Sequence, residues 1–447
     1  MKQKFKHWLK RFGWIGFLFF LIKGLFWLGL LIWAAVSQAQ IYFPPTTGNT
    51  WQTTTPAELG WCENQIPELL TFLESNNTKA FIVLKNGKIV IENYFGTFTQ
   101  DSLWYWASAG KTLTSYLVGI AQQNGQLSIN DLSSSYLGTG WTSCTAAQEN
   151  NISVRNQLTM TSGLDDGVAD PYCTDPNCLI YSADAGTRWA YHNGPYTLLD
   201  GVLEGATGQT LNGLVFSALK QPTGMDGFFF QSGYNNVYLS TARSMARFGI
   251  LMQNGGNWNG NQLMTDANYF QEMITPSQNL NNSYGYLWWL NGQSSYMIPQ
   301  TQIVIPGMMF PNAPSDVYAA LGRDGQCLNV SPSEGLVFIR MGNAPDNSLV
   351  PFLLNDQIWE KLNAVLCTSV TESNDENFML NQTATSVRVS WPGKSFVCEF
   401  FDLKGNKISS SEVRNSKEMN TTALIAGMYV VRCASGFAVE VRKVVVR

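Results

Sequence analysis

Apolar positions change period several times along this chain, and each change marks an element. Over residues 62–76 the spacing of Ile66, Leu69, Leu70, Phe72 and Leu73 gathers apolar side chains on one helical face. Residues 80–94 then alternate around Asn86-Gly87, a dipeptide suited to the left-handed turn of a two-residue hairpin. Helical spacing returns at 108–124, with Gly125 as a stop. Residues 128–290 read as helix and loop, dense in aromatics. Strand patterns reappear at 302–305, 327–330 and 336–341, and 350–366 closes with an amphipathic helix. A helix leading into a hairpin predicts an α/β (α+β) fold with an antiparallel sheet flanked by helices. The polar stretch 371–377 reads as a linker. Residues 378–447 carry short β-type runs and turn signals without a helical pattern, which predicts a small C-terminal β-sandwich.

The start of the chain differs from the rest. It is basic up to Arg11, apolar at 24–36, and carries Ser37-Gln38-Ala39, with small residues where a signal peptidase reads. Residues 1–39 therefore read as an export signal. The competing reading is an uncleaved anchor at 12–36, where Lys23 alone interrupts the apolar run. Membrane contact is expected only through this segment, before its cleavage. Residues 40–60, rich in Thr and Pro, read as a linker into a first domain at 61–370. The net charge of the whole chain is -4. The start contributes basic residues and no acid, so the remainder is more acidic still and lacks the basic footprint of a nucleic-acid binder.

The eight cysteines behind an export signal suggest disulfides rather than metal ligands, since none has zinc-type spacing. Cys173 and Cys178 are close enough for a local bridge, Cys398 and Cys433 share the C-terminal module and pair by default, and Cys144 and Cys327 are left as free thiols. The chain has two histidines, His7 and His192, of which His7 lies in the signal. A His-rich metal site is thereby excluded, and no metal or cofactor is expected.

Ser-x-x-Lys occurs twice, at Ser108/Lys111 and Ser217/Lys220. At a helix start, positions three apart share a face, so the amine reaches the hydroxyl, and the helix terminus favours a developing oxyanion. Ser108 follows Trp104-Tyr105-Trp106 at such a start. Ser217 lies within a helical run and reads as an ordinary surface residue. A serine needs a base, and Tyr191-His192-Asn193 offers a tyrosine whose ionisation a neighbouring Lys111 would favour. Asn193 is placed to hold Lys111 or a substrate amide. A second Tyr-x-Asn, Tyr234-Asn235-Asn236, lacks the same surroundings. His192 could serve a Ser-His-Asp triad, but it points away from its two neighbours. Asp165, Asp166, Asp170 and Asp175 read as a solvated loop rather than a calcium loop. Trp104, Trp106, Trp288 and Trp289 are divided between core and a substrate-acyl pocket.

Residues 61–370 resemble the β-lactamase-related serine hydrolases of the class C type, a group that includes penicillin-binding proteins, certain esterases and 6-aminohexanoate-dimer hydrolase. The resemblance runs through Ser108-Ala-Gly-Lys111, Leu158-Thr-Met-Thr-Ser-Gly-Leu164, Gly186 to Asn193, Ser240 to Gly249 and Tyr284-Gly-Tyr-Leu-Trp-Trp289. It implies Ser108 as nucleophile, Lys111 as its activator, Tyr191 as general base and acid, and Asn193 as a positioning residue. The third motif departs from the Lys-Thr-Gly or His-x-Gly of these enzymes and reads Gly322-Arg323-Asp324-Gly325-Gln326. Arg323 is the candidate replacement charge. Asp324 disfavours a carboxylate-bearing substrate. Gly325-Gln326 suits an oxyanion hole formed by the backbone N–H groups of Ser108 and Gln326. In this fold type the first and last helices run antiparallel on one sheet face, which implies a Cys62–Cys367 bridge.

Residues 378–447 resemble the C-terminal sorting domain of type IX secretion, on Phe401-Asp-Leu-Lys-Gly405, Leu424 to Arg432 and Lys443-Val-Val-Val446. That implies the secretion machinery as partner, and export through the periplasm to the cell surface or beyond. The expectation is an exported serine hydrolase cleaving an ester or amide of a small molecule or short peptide. The alternative is an inactive, penicillin-binding-like surface binding protein.

Overall fold

The computed structural model describes residues 41–345, 348–367, 378–383, 386–402, 407–420, 424, 427–435 and 438–446. The segments expected to be an export signal, 1–39, and a linker, 371–377, lie outside the described residues. Helix α1 (Ile66–Ser75) leads into strands β1 (Thr78–Lys85) and β2 (Lys88–Tyr94), joined at Asn86 and Gly87, whose φ angles of 49° and 80° are those of the predicted turn. Next come β3 (Trp104–Tyr105), α2 (Lys111–Gln123), α3 (Asn193–Thr207), β4 (Phe228–Ser232), β5 (Asn235–Ser240) and α4 (Ala242–Gln253). Strands β6 (Trp289–Leu290), β7 (Tyr318–Gly322), β8 (Gln326–Ser331) and β9 (Leu336–Gly342) precede the closing helix α5 (Phe352–Val365).

The main sheet is antiparallel throughout, in the order β2-β1-β9-β8-β7-β6. Strand β9 is buried at every position and β1 at nearly every one, so these strands are covered on both faces. The alternation expected at 80–94 holds only for the start of β2, where buried Ile89 and Ile91 alternate with half-buried positions. Helix α4 packs on β1, β8 and β9. A smaller sheet, β3-β5-β4, stands beside Ser108.

The stretch 128–290, read as helix and loop, also holds β4, β5 and β6, and two further strand segments depart from the sequence reading. The pattern at 302–305 yields only Ile305–Pro306, paired with Ser295–Tyr296, because Ile303 and Val304 lie exposed and bury no face. Strand β7 is fully buried and paired on both sides, and its Tyr-Ala-Ala-Leu-Gly carries no alternation for a sequence reading to find.

The stretch 40–60 is not a free linker over its described residues. The Tyr42 N–H donates to the Asn86 carbonyl, the Trp51 indole to the Gly87 carbonyl and the Ile89 N–H to the Gln52 carbonyl, fastening the segment over the β1–β2 hairpin. Arg247 of α4 donates to the carbonyls of Pro44 and Pro45 from beneath. The reading as a linker from composition misses these backbone bonds.

Cys62 and Cys367 are bridged with a Cα separation of 5.5 Å, joining the approach to α1 with the exit of α5, and the two helices pack together. Cys173 and Cys178 are also bridged. Cys144 and Cys327 are free. Cys398 and Cys433 stand opposite each other in the strand register, but their sulfurs meet as a contact rather than a bond.

In the C-terminal module, β10 (Met379–Gln382), β11 (Ser386–Asp402), β12 (Lys407–Asn420), β13 (Gly427–Ser435) and β14 (Ala438–Val446) are joined by antiparallel pairing. The long β11 pairs with β12 along one edge and with β10 and β13 in turn along the other. Val387, Val389, Trp391, Phe396 and Phe400 on β11 supply much of the module's own core.

Candidate active site

The nucleophile candidate sits on a constrained turn. Strand β3 pairs with β5, and the Trp106 N–H extends that pairing by donating to the Tyr238 carbonyl at 2.8 Å. Ala107 then takes a φ of 47°, a left-handed conformation that costs a residue with a side chain some strain. Ser108 follows within a 3₁₀ turn, Ala107–Gly110, and the α-helix begins only at Lys111. The predicted helix at 108–124 is thus a tight turn plus α2, with Ser108 at its positive end.

Lys111 is buried and donates to two acceptors, Ser108 Oγ and Asn193 Oδ1, each at 2.8 Å. Asn193 is the first residue of α3. The ammonium lies 4.2 Å from the Tyr196 ring centre and 5.1 Å from that of Tyr191. Burial lowers the affinity of Lys111 for its proton to a pKa of about 7, against a partial opposing pull from Asp200. Tyr191 is buried, stacks on Trp289 and contacts the Ser108 hydroxyl. Burial pushes its phenol well above the usual value, and the contact with Ser108 offsets only part of that. The expectation that Lys111 would favour a phenolate therefore gives way to desolvation. Of Tyr191 and Lys111, it is Lys111 whose proton leaves near neutral pH.

A cavity of about 480 Å³ opens over Ser108 and Lys111. Its aromatic walls are Tyr105, Tyr172, Tyr196 and Phe230. None of Trp104, Trp106, Trp288 and Trp289 lines it; the last three are fully buried core. Asn235 and Asn236, from the second Tyr-x-Asn, do line the cavity, while Tyr234 does not and bonds Asp175 instead.

The third motif divides at Gly322. This residue lies so close to the Ser108 turn that a side chain there would collide with it. Arg323 and Asp324 follow on the cavity wall, and Asp324 accepts from the Tyr105 hydroxyl at 2.8 Å. Gly325 and Gln326, expected at the oxyanion hole, lie behind the wall instead. Gln326 is fully buried and its amide is spent on the Gly342 backbone. Buried Arg340 donates to the carbonyls of Asp324 and Gly325 and so holds the turn in place.

The rival readings find no support in the geometry. Ser217 bonds backbone carbonyls of its own helix, and Lys220 bonds the Gly227 carbonyl. His192 is buried, and burial lowers its pKa to about 4. Asp166 pairs with Arg188, and Asp165 and Asp170 cap local N–H groups. Sequence reasoning missed Tyr105, Tyr196, Asn236 and the buried Asp200, whose pKa burial raises to about 7. Tyr196 and Asp200 are single polar residues on an amphipathic helix, and Tyr105 and Asn236 sit in short windows without a catalytic spacing of their own.

The chain has relatives in sequence and in structure. An uncharacterized protein of Alkalihalophilus pseudofirmus is 23% identical over 302 residues, covering 59% of this chain and 82% of the relative. A protein described as a 6-aminohexanoate-dimer hydrolase from Bacillus anthracis superposes with a TM-score of 0.54 at 17% identity, over 72% of this chain and 89% of that one. A penicillin-binding protein homologue from Caulobacter crescentus gives 0.54 at 14% identity, over 69% and 99%. At such identities these structures speak for the fold. Residues 381–447 match the secretion system C-terminal sorting domain, the module expected there. Residues 76–362, more than half of the chain and the whole of the region that builds the cavity, match the Beta-lactamase family, and the protein belongs to that family.

Proposed function

We propose that the protein is a secreted acyl-transfer hydrolase that cleaves an ester or amide through a covalent acyl-enzyme on Ser108. The observation that carries this reading is the placement of Lys111 Nζ, 2.8 Å from both Ser108 Oγ and Asn193 Oδ1, with its pKa lowered to about 7. A base poised near the working pH is what general-base activation requires. Ser108 Oγ attacks the substrate carbonyl as its proton passes to the free amine of Lys111. The Tyr191 hydroxyl, in contact with Ser108, relays a proton to the leaving oxygen or nitrogen as the tetrahedral intermediate collapses. Water then attacks the acyl-enzyme, with Lys111 and Tyr191 acting in reverse. The Ser108 N–H is one donor to the oxyanion. Arg323, which follows Gly322 on the cavity wall, supplies the second from its backbone. This replaces the role first expected of Gln326, whose buried position argues against it.

The cavity has room for a small acyl group or a short peptide against aromatic walls. Asp324 on its wall opposes a carboxylate nearby. The sorting domain marks a secreted protein at the cell surface or outside it, with the secretion machinery as its partner. Labelling by a fluorophosphonate, read by intact mass, tests the reading: one adduct on the intact chain and none on Ser108→Ala supports it. An unlabelled wild-type chain sends the function to the non-catalytic alternative.

A further inference from the structure

This inference rests on the acyl-transfer reading of Ser108 and Lys111 and concerns a residue that reading does not use. Asp200 lies two turns beyond Asn193 on α3 and is 5% exposed. Neutral groups hold its carboxylate: Asn236 Nδ2 donates at 2.9 Å to one oxygen, and Thr114 Oγ1 lies 3.4 Å from the other. Burying a carboxylate against neutral donors costs stability that an apolar side chain in the same place would avoid. A residue kept at such a cost, beside a reactive centre, invites a functional explanation.

Both of its donors belong to the site. Thr114 is one turn beyond Lys111 on α2, and its hydroxyl lies 3.5 Å from that of Tyr196, whose ring backs the Lys111 ammonium. Asn236 lines the cavity. We propose that Asp200 is a positioning residue of the hydrolytic site: anchored by Thr114 and Asn236, it sets the balance between protonated and free amine at Lys111 and ties that balance to the wall the substrate touches. To the extent that it is ionised, its negative charge favours the proton on Lys111, against the burial that drives the proton off. Among the described residues the charged groups acting on Asp200 are Glu204, one turn further along α3, and Lys111 from α2. The facing neutral groups are Thr114, Asn236 and Tyr196, and Tyr196 feels the Asp200 charge in turn.

The test is the pH dependence of Ser108 labelling by a fluorophosphonate on the intact chain. Asp200→Asn keeps the shape of the side chain and removes its charge. The acid limb of labelling then moves to lower pH by about half a unit, less than a fully ionised close neighbour would give, because Asp200 is itself only partly ionised near pH 7. One pH unit below the wild-type midpoint, the variant labels about two- to threefold faster relative to its own plateau. A residue that only supports packing would lower the plateau and leave the midpoint unmoved, and an unmoved midpoint overturns the proposal. If Asp200→Asn does not fold, Thr114→Val carries the test on the same criterion. Losing that hydroxyl favours the protonated carboxyl and moves the limb the same way, by less. A wild-type chain that is not labelled at any pH sinks the hydrolase reading instead, so the two failures are distinct.

Discussion

Gly322 and Trp106 meet backbone against backbone: a β-carbon on Gly322 would stand 2.3 Å from the Trp106 carbonyl oxygen. The same atom would stand 3.1 Å from the Ser108 amide nitrogen. Strand β7 thus presses directly on the turn that presents the nucleophile. Gly322→Ala should push that turn off its position and lower kcat/KM about 100-fold, the scale of a displacement near 1 Å at a reacting group. Circular dichroism should stay native. A Gly322→Ala enzyme with wild-type kcat/KM would show that the contact does not position Ser108.

The pH profile follows from Lys111. Its amine accepts a proton only when free, and burial brings its pKa to about 7. kcat/KM for a neutral ester should therefore rise with pH through about 7 and level off above it. His192→Gln should leave that limb in place, because His192 titrates at about 4 and is not the base. Ser108→Ala should cost on the order of 10³ or more in turnover. A limb that moves with His192→Gln would return the triad to consideration.

Stability should respond to the same buried pair. Asp200 has its folded pKa raised to about 7, so the folded state holds a proton that the unfolded state releases between the ordinary carboxylate range and about 7. Its contribution is therefore full at acid pH and is lost as pH rises toward 7. Asp200→Asn should raise the Tm more at pH 8 than at pH 4. Lys111 works in the opposite sense, adding stability as pH rises from about 7 toward the ordinary lysine value. An equal Tm change at both pH values would show that Asp200 is charged in the folded protein throughout.

The segment over the hairpin should matter to stability although it is far from Ser108 in sequence. Arg247 is buried and spends its guanidinium on the carbonyls of Pro44, Pro45 and Thr223. Removing residues 41–50 would leave two of those three acceptors missing beneath a buried charge. The cost should be about 3 kcal/mol, on the scale of unsatisfied buried charged groups. Urea unfolding of the shortened chain checks this, and an unchanged midpoint would show the segment to be a passive cover.

Ser108, Lys111, Tyr191 and Asn193 are legible in the sequence because they fall in two short windows whose spacing carries the geometry. In each window a helix start places the side chains. The hairpin is legible for the same kind of reason, since Asn86-Gly87 encodes its own turn. Asp200 is not legible, because one acid on an amphipathic helix looks like a solvated one until Thr114 and Asn236 are seen to close over it. Arg340 hides similarly, as a charge in a strand whose five donors all find acceptors only in the folded chain. The true edge of the third motif is missed because β7 has no polar alternation, and its close approach to Ser108 depends on a missing side chain at Gly322.

The bridge between Cys62 and Cys367 turns the Beta-lactamase-family domain into a covalent ring, with the sorting module attached beyond the clasp. Outside the cell, where proteases are abundant and reductants scarce, that arrangement separates two kinds of cut. A single nick between the clasp and the module releases an intact domain. A single nick anywhere within the ring releases nothing, since both new ends stay tied through the sulfurs. Ser108, Asn193 and Gly322 would then remain in one body even when no unbroken chain joins them.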